Sequence, residues 1–295
     1  MKILIIGQSV VDRINQDGNV SVKPGGIHYS VAGVSSFIED NDQIYLCTTI
    51  SKKDEYLFKG FYSVVKQEFI GFREKIPAVN LTIHKNRERD ERYENITQNL
   101  NLPDKDLNLF DGIFVNMVTG YDLNLKQAEY IREKFKGTIY FDVHTFSRGY
   151  DENGNRNFRR IPGFDKWAKC VDIIQANEEE LKTLSGKSDE REIVRKLLGC
   201  GVQQVIITKA EKGVRIYYNQ AGELESVFYP AIKIKTVNKV GCGDVFGAVY
   251  FYNYIRTRNV NKSLQIANVA AGCTATYSNI NDFKNLKNDV QQRYS

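Results

Sequence analysis

The sequence of 295 residues has few cysteines and no long hydrophobic run. No apolar stretch approaches the roughly 18–20 residues that a membrane-spanning helix needs, and the apolar block Ile3–Ile6 is too short for a secretory signal. The five cysteines include no Cys-x-x-Cys spacing, and such an odd, scattered set indicates free thiols in a reducing compartment. We therefore expect a cytoplasmic protein with no membrane partner.

Several familiar catalytic and binding motifs are also absent. The sequence has no Gly-x-x-x-x-Gly-Lys-Ser/Thr loop, no Gly-x-Gly-x-x-Gly after its first strand and no Gly-x-Ser-x-Gly elbow. Any phosphate loop is therefore not of the Walker type. His28, His84 and His144 show no metal-ligand spacing with cysteine. The net charge of +5 is small for this length and basic residues are mixed with acids, so no nucleic-acid partner is expected.

The chain does contain a regular alternation of strand-like apolar blocks and helix-like apolar stripes. This rhythm predicts an α/β fold in which helices cover both faces of a mostly parallel sheet, as one domain over residues 1–295. Ligands on such sheets bind beyond the carboxyl ends of the strands. The predicted strands are Ile3–Ile6, Ile44–Ile50, Ile113–Asn116, Ile139–Val143, Ile173–Ala176, Val205–Thr208 and Val214–Tyr218, and the predicted helices include Leu125–Phe135, Glu178–Leu184, Ile193–Leu198 and Asp244–Tyr254.

Two polar segments interrupt this alternation. Arg13–Lys23 and Val79–Asn101 read as hairpins, with turn signals at Asp17-Gly18 and Lys85-Asn86. We interpret them as strands that form a small lid over the edge of the main sheet, with lid segments at about 12–26 and 78–101. Two long surface loops are the alternative. An exposed strand edge can pair with a strand of another chain, so the lid also allows a homodimer.

The most informative segment is Val240–Phe246, in which Gly241 and Gly243 flank Cys242 and Asp244 follows at once. The glycines allow the backbone to bend and to approach a ligand closely. The predicted helix behind them would direct its N-terminal N–H groups at an anion such as phosphate. Asp244, in the first helical turn, is a candidate base. A plain glycine-rich helix cap is the alternative interpretation.

Further candidates lie near the N-terminus. Asp12 follows the first strand and is placed to accept hydrogen bonds from hydroxyl groups, although a turn cap is the alternative. Gly25 and Gly26 precede a predicted helix and allow a polar ligand to approach the backbone, with Ser30 one turn further on as a hydroxyl donor. A hinge between lid and helix would also explain the two glycines.

Two later segments are candidates for binding a metal and a nucleotide. Asn177 and Glu180 open a predicted helix, where a carboxylate can order water around Mg²⁺. Acids at a helix start also serve as caps. Thr208 ends a strand, and the turn from it to Gly213 is suited either to nucleotide phosphates or to an ordinary hairpin.

Taken in order, these segments resemble the ribokinase-like (PfkB) family of carbohydrate and nucleoside kinases. The resemblance covers nearly the whole chain and implies a three-layer α/β/α sandwich with a mostly parallel central sheet and a small β-sheet lid. The matching segments, in the order of the family, are Gly7 with Asp12, Pro24-Gly25-Gly26, Asn177-x-x-Glu180, Thr208 to Gly213, Gly241 to Asp244 and the helix with Ala267–Ala271.

The resemblance implies a role for each matching position. Asp244 matches the catalytic base, and the anion hole corresponds to Gly241, Cys242 and Gly243. The substrate-binding positions are Asp12, Gly25, Gly26 and Ser30, and Asn116, at the end of the strand Ile113–Asn116, is a further candidate for contact with the substrate, where a structural role is the alternative. The nucleotide-binding positions are Asn177, Glu180, Thr208, Gly213 and Asn268, of which Glu180 would hold Mg²⁺ through water. After the strand Ile139–Val143, two further candidates for contact with phosphates are His144 and Arg148, where a structural loop is the alternative.

The expected function is an ATP-dependent kinase that phosphorylates a hydroxymethyl group of a sugar or sugar-like substrate. Its expected cofactors are ATP and Mg²⁺, and the family also allows for a monovalent cation such as K⁺. A nucleoside kinase of the same fold and a catalytically weak sugar- or nucleotide-binding homologue are the alternatives.

Four positions depart from the usual pattern of the family. Asn238 stands where an aspartate is usual, Cys242 replaces alanine, Ala210 replaces glycine and Ser30 replaces asparagine. The changes at Ser30 and Asn238 bear on substrate choice and on any monovalent cation site. The base, the loop glycines and Asn177-x-x-Glu180 are retained, so we expect catalysis to be retained as well.

Overall fold

A computed structural model of the chain describes residues 1–16, 18–83, 90–96, 99–103, 106–150 and 156–294. The strands are β1 Lys2–Ile6, β2 Ser9–Gln16, β3 Asn19–Gly26, β4 Gln43–Ile50, β5 Ile70–Phe72, β6 Ala78–Ile83, β7 Asp90–Glu94, β8 Gly112–Asn116, β9 Thr138–Asp142, β10 Arg148–Tyr150, β11 Arg156–Phe158, β12 Ile173–Asn177, β13 Gln204–Thr208, β14 Gly213–Gln220 and β15 Glu223–Pro230.

The α-helices are α1 Ile27–Ser35, α2 Glu55–Tyr62, α3 Leu125–Lys134, α4 Phe164–Ala168, α5 Glu178–Thr183, α6 Glu190–Gly199, α7 Cys242–Thr257, α8 Val260–Thr274 and α9 Leu286–Tyr294. Short 3-10 helices cover Leu107–Leu109, His144–Ser147, Ala210–Lys212 and Ile280–Asn285. Within the described ranges, no helix is both long enough and apolar enough to cross a membrane.

The large central sheet is mostly parallel, as predicted. In the part of the chain that the structure describes, it contains nine strands in the order β15-β14-β13-β12-β9-β8-β1-β4-β5. The strands from β13 to β5 in this order run parallel to one another. Strand β14 pairs antiparallel with β13, and β15 pairs antiparallel with β14. The inner strands are almost entirely apolar because helices cover both of their faces, which is typical of parallel sheets.

The side chains of each inner strand alternate between two hydrophobic cores. In β1, Ile3 and Ile5 enter one core and Leu4 and Ile6 enter the other. Helices α1, α7, α8 and α9 pack on the first face, and helices α3, α4, α5 and α6 pack on the second. The result is the expected three-layer α/β/α sandwich.

A second, smaller sheet confirms the prediction that the two polar segments are strands. Its order is β3-β2-β6-β7. The hairpin of β2 and β3 is antiparallel, β2 pairs with β6 in parallel, and β6 pairs with β7 antiparallel. We call this sheet the lid sheet. The predicted turn at Lys85-Asn86 and the residue Asp17 lie outside the described residues.

The interface between α1 and α2 contains a histidine with an unusual environment. His28 is only 1% exposed, and its ring lies 5.9 Å from that of Phe58, 5.5 Å from that of Phe61 and 5.7 Å from that of Tyr62. Within the described ranges, neither ring nitrogen has a hydrogen-bond partner. Burial lowers the pKa of His28 to about 3, because the charged imidazolium cannot be solvated there.

This histidine makes the fold sensitive to mild acid. Between pH 6.5 and pH 3 the unfolded chain takes up a proton at His28 and the folded chain does not, so stability falls as the pH falls. We expect His28 to reduce the free energy of unfolding by about 2 kcal/mol between pH 7 and pH 5. In His28→Leu this loss should disappear from urea-unfolding curves measured at the two pH values.

A variant of the same helix provides the control. Val31→Ala also removes buried volume from α1 but no titratable group, so it should lower stability by the same amount at both pH values. If His28→Leu and the wild type lose equal stability between pH 7 and pH 5, the buried imidazole does not cause the acid sensitivity.

Candidate active site

The carboxyl ends of neighbouring parallel strands place several polar side chains side by side. Asn116 at the end of β8 is in register with Asp142 at the end of β9. Asn177 at the end of β12 is in register with Thr208 at the end of β13. Polar residues therefore line the edge at which open α/β sheets bind their ligands.

Helix α7 begins at this edge with a glycine in a left-handed conformation. Gly241 has φ 80° and caps the helix, whose first residues are Cys242, Gly243 and Asp244. A Cβ atom on Gly241 would lie 2.4 Å from Cδ1 of Tyr29, so α1 packs directly against the loop. The N–H groups of the first helical turn have no partner within the helix, and they form a natural site for an anion.

Asp244 is a buried carboxylate that accepts a hydrogen bond from the end of β8 and lies near a histidine that follows β9. Asn116 Nδ2 donates a hydrogen bond of 2.7 Å to Asp244 Oδ1, and His144 Nε2 lies 3.8 Å from the same oxygen. Burial raises the pKa of Asp244, while the nearby His144 and the hydrogen bond from Asn116 oppose that rise. A carboxylate with a raised pKa is a stronger proton acceptor than one in water.

Ser30 and Asn116, which the resemblance assigns to substrate binding, lie behind Asp244. Both are fully buried, and Asn116 Nδ2 lies 3.4 Å from Ser30 Oγ. Neither belongs to the pocket wall described next. Their position is that of residues that orient Asp244.

A pocket of about 90 Å³ lies between the lid sheet and Asp244. It contains the predicted site residues Asp12, Gly26, Gly241 and Asp244. The remaining wall is mostly apolar or aromatic, with side chains from the lid sheet on one side: Val10, Tyr29, Val79, Leu81, Tyr93, Val118, His144 and Val240.

Gly25 packs against the Asp12 carboxylate, which lines the pocket. It lies opposite Val10 in the hairpin of β2 and β3, and a Cβ atom on it would lie 2.3 Å from Oδ2 of Asp12. The Asp12 carboxylate therefore rests directly on the backbone of Gly25, and no other residue type leaves room for it. In this chain the position of the Asp12 carboxylate therefore depends on the glycine at position 25.

Asn177 and Glu180 form a reciprocal capping box at the start of α5. Asn177 Oδ1 accepts hydrogen bonds from the N–H groups of Glu179 and Glu180, and Glu180 Oε2 accepts one of 2.8 Å from the Asn177 N–H. Burial raises the pKa of Glu180, and the nearby Asp244 raises it further. The cap predicted as the alternative is thus present, in electrostatic contact with the candidate base.

Two further residues near the base, Asp142 and Gln175, were not among the predicted site residues. Gln175 Nε2 donates hydrogen bonds of 3.0 Å to Asp142 Oδ2 and 3.1 Å to the Gly243 carbonyl, which anchors the loop before α7 to the sheet. Burial, together with repulsion from Glu180 and Asp244, raises the pKa of Asp142 well above its usual range. The available signal was a polar residue inside an otherwise apolar strand.

The predicted nucleotide-binding residues gather at one end of the same edge. Thr208 pairs with Val214, and Gly213 pairs with Pro230. Asn268 Nδ2 donates a hydrogen bond of 2.8 Å to the Pro230 carbonyl. The structure therefore brings Thr208, Gly213 and Asn268 together around the antiparallel strands β14 and β15.

At three of the four positions that depart from the family pattern, the residue that is present still fits the backbone and contacts of its loop. Ala210 has φ 47°, the left-handed backbone for which glycine is normally chosen. Asn238 Oδ1 accepts a hydrogen bond of 3.0 Å from the Val240 N–H, as an aspartate could. Cys242 Sγ lies 3.8 Å from the Asn238 carbonyl, and burial, with repulsion from Asp244, raises the pKa of its thiol to about 12. Cys242 is therefore a small packing residue in this loop.

Comparisons with known proteins agree with this architecture. A family model described as pfkB family carbohydrate kinase matches residues 154–286. A cytidine kinase from Thermococcus kodakarensis is 32% identical over 99 residues, which cover 32% of this chain and 34% of that protein. Matches of this kind span about a third to a half of the curated relatives' own length.

Solved structures share the fold over the whole chain. Fructokinase with bound ATP from Xylella fastidiosa superposes with a TM-score of 0.78 at 13% identity, covering 100% of this chain and 99% of that one. Arabidopsis thaliana ribokinase complexed with ribose and ATP gives 0.75 at 14% identity, covering 98% of each chain. These solved structures show the ribokinase fold for this chain, and the pfkB family model matches residues 154–286, slightly less than half of its length.

A pair of glycine variants tests the geometry of the loop before α7. Gly241→Ala adds a Cβ atom to a residue with φ 80° and forces it to within 2.4 Å of the Tyr29 ring. We expect a loss of at least about 2 kcal/mol in the free energy of unfolding. In Gly243→Ala the nearest atom to the new Cβ is 3.9 Å away, so the same urea-unfolding measurement should give no loss. Equal stabilities of the two variants would contradict the tight contact of α1 with this loop.

Proposed function

We propose that this chain is an ATP-dependent kinase that phosphorylates a hydroxymethyl group of a sugar or nucleoside. The observation that carries the proposal is the buried Asp244 carboxylate beside the first turn of α7, whose N–H groups point out of the helix end at the pocket. This arrangement combines a base for a hydroxyl group with a site for a phosphoryl group. The relatives in the family are named as kinases of sugars and nucleosides, which supports the same class.

The reaction needs positioning and charge neutralisation more than covalent chemistry. The acceptor hydroxyl loses its proton to Asp244 as its oxygen forms a bond to the γ-phosphorus of ATP, and the bond from that phosphorus to ADP breaks. The N–H groups of the loop from Gly241 to Gly243 hold the oxygens of the transferring group. Closing the lid sheet over the pocket would keep water from competing with the acceptor.

The residues around Glu180 suit a divalent cation. Repulsion from Glu180 and Asp244 raises the pKa of Asp142, and repulsion from Asp244 raises the pKa of Glu180, so a positive charge among them would relieve this repulsion. Bound there through water, Mg²⁺ would neutralise negative charge on the nucleotide phosphates. Glu180 is the side chain that we assign to this contact, with Asn177 fixing its position through the capping box.

The pocket wall favours a nucleoside over a free sugar as the acceptor. A small sugar presents hydroxyl groups on almost every side, whereas this wall includes five aliphatic side chains and two tyrosines beside its polar groups. Tyr29 and Tyr93 both line the pocket, and aromatic rings of this kind stack on the flat face of a base. The Arg156 guanidinium packs over the Tyr93 ring, 4.4 Å from its centroid. Asp12 remains to accept hydrogen bonds from ribose hydroxyls.

The base assignment is tested by Asp244→Asn. The amide fills the same space but cannot accept the hydroxyl proton, so turnover should fall by about 10²–10⁴-fold while ATP binding stays close to that of the wild type. ADP release measures the first quantity and calorimetric titration with ATP the second. The exposed Asp165→Asn is the control and should change neither. Full turnover in Asp244→Asn would remove Asp244 from its proposed role.

The acceptor class is tested by one ADP-release panel that contains ribose, deoxyribose, fructose, cytidine, uridine and adenosine, run with K⁺ and with Na⁺. We expect a nucleoside to give the highest kcat/KM. In Tyr93→Leu the loss of base stacking, worth about 1–3 kcal/mol, should raise the KM for that nucleoside more than for any sugar. Preference for a free sugar would contradict the nucleoside assignment, and binding without ADP formation throughout the panel would indicate a binding protein.

A further inference from the structure

His144 has a backbone conformation that is unusual for its residue type. It begins the 3-10 helix His144–Ser147 with φ 39°, in the left-handed region that most side chains avoid. Such conformations persist only where neighbouring groups enforce them, and they concentrate at functional sites. His144 also lines the pocket.

Three neighbours hold His144 in this conformation. Its N–H donates to the Asp142 carboxyl group, and its carbonyl accepts a hydrogen bond of 2.7 Å from Ser147 Oγ. Its ring Nδ1 lies 2.5 Å from Thr145 Oγ1. With Nδ1 occupied on one side, the ring turns Nε2 towards Asp244 Oδ1, at a distance of 3.8 Å.

The two members of this pair differ in their access to solvent. The Asp244 side chain is 9% exposed, whereas that of His144 is 34% exposed. The imidazole therefore connects a buried carboxylate to the surface. The titratable groups around His144 are the carboxyl groups of Asp142, Glu180 and Asp244, with the Arg148 guanidinium near Glu180.

Each catalytic cycle would leave a proton on a buried carboxyl group. Under the proposed function, Asp244 takes the proton of the acceptor hydroxyl and must lose it before the next turnover. Asn116 only donates to Asp244 and has no site that accepts a proton at neutral pH. His144 Nε2 needs an approach of roughly 1 Å, or one bridging water, to reach hydrogen-bond distance, and such distances shorten commonly when substrates bind.

We propose that His144 is a further catalytic residue, which carries the proton from Asp244 to solvent. The proposal rests on the proposed kinase function. The O–H bond formed on Asp244 breaks, an N–H bond forms at Nε2 of the neutral imidazole, and the resulting imidazolium returns its Nε2 proton to water. This direction requires that the neutral ring carries its proton on Nδ1, where Thr145 Oγ1 accepts it.

The tautomer of His144 is the first test. The sequence contains only three histidines, so ¹⁵N spectra of the imidazole rings of the whole protein can be assigned by comparison with His144→Asn. We expect the neutral ring of His144 to be protonated at Nδ1 and unprotonated at Nε2. A neutral ring protonated at Nε2 would point a donor at Asp244 and would overturn the proposal.

Kinetics with chemical rescue is the second test. His144→Gly removes the ring and tolerates φ 39°, and His144→Asn fills part of the space without a proton-accepting group. In both variants kcat should fall about tenfold or more with little change in the KM of the acceptor. Free imidazole in the buffer should restore kcat in His144→Gly in proportion to its concentration, and the wild type in the same buffers is the control.

The outcomes separate this proposal from the proposed function. A wild type that releases no ADP with any acceptor overturns both. An active wild type whose His144 variants keep kcat, or lose it without a response to imidazole, overturns the proton path alone and leaves the kinase assignment in place. Matching thermal unfolding of both variants and the wild type excludes misfolding as the cause of a lower kcat.

Discussion

The candidate site depends on one hydrogen bond, from Asn116 Nδ2 to the buried carboxylate of Asp244. A carboxylate removed from water is costly unless a donor compensates it, and Asn116 supplies that donor from the end of a fully buried strand. The bond joins α7 to the central sheet at the point where the phosphate loop begins. The residues Ser30, Gln175 and His144 lie around the Asp244 carboxylate, whose position this hydrogen bond fixes.

Local sequence patterns were sufficient to predict the layers of the fold. Apolar blocks and stripes located the strands and helices because burial on both faces leaves a strong signal, and the glycines near Asp244 marked a loop that lines the pocket, whose role in binding phosphate stays a prediction. The bond from Gln175 to the Gly243 carbonyl and the approach of His144 to Asp244 were not predictable. Those contacts join residues far apart in the chain, and a local pattern that marks a polar residue does not identify the partner that the fold brings to it.

The departures from the family pattern show that a loop can keep its shape while its residues change. Ala210 adopts a glycine-like backbone, and Asn238 accepts the hydrogen bond that an aspartate would accept. Ser30 differs because it lies beneath Asn116 and is not part of the pocket wall. A residue at that depth influences the ligand through the orientation of Asp244, so its identity carries less information about the acceptor than the tyrosines of the pocket.

Helix α1 joins the lid sheet to the loop at Gly241. Strand β3 of the lid sheet continues directly into α1, and α1 packs so closely on α7 that a Cβ atom on Gly33 would lie 3.0 Å from Val245 Cγ1. The same helix carries Tyr29 against Gly241. Helix α1 therefore connects the lid sheet to the first turn of α7, and a movement of the lid sheet that carries α1 with it would also move Tyr29 relative to Gly241.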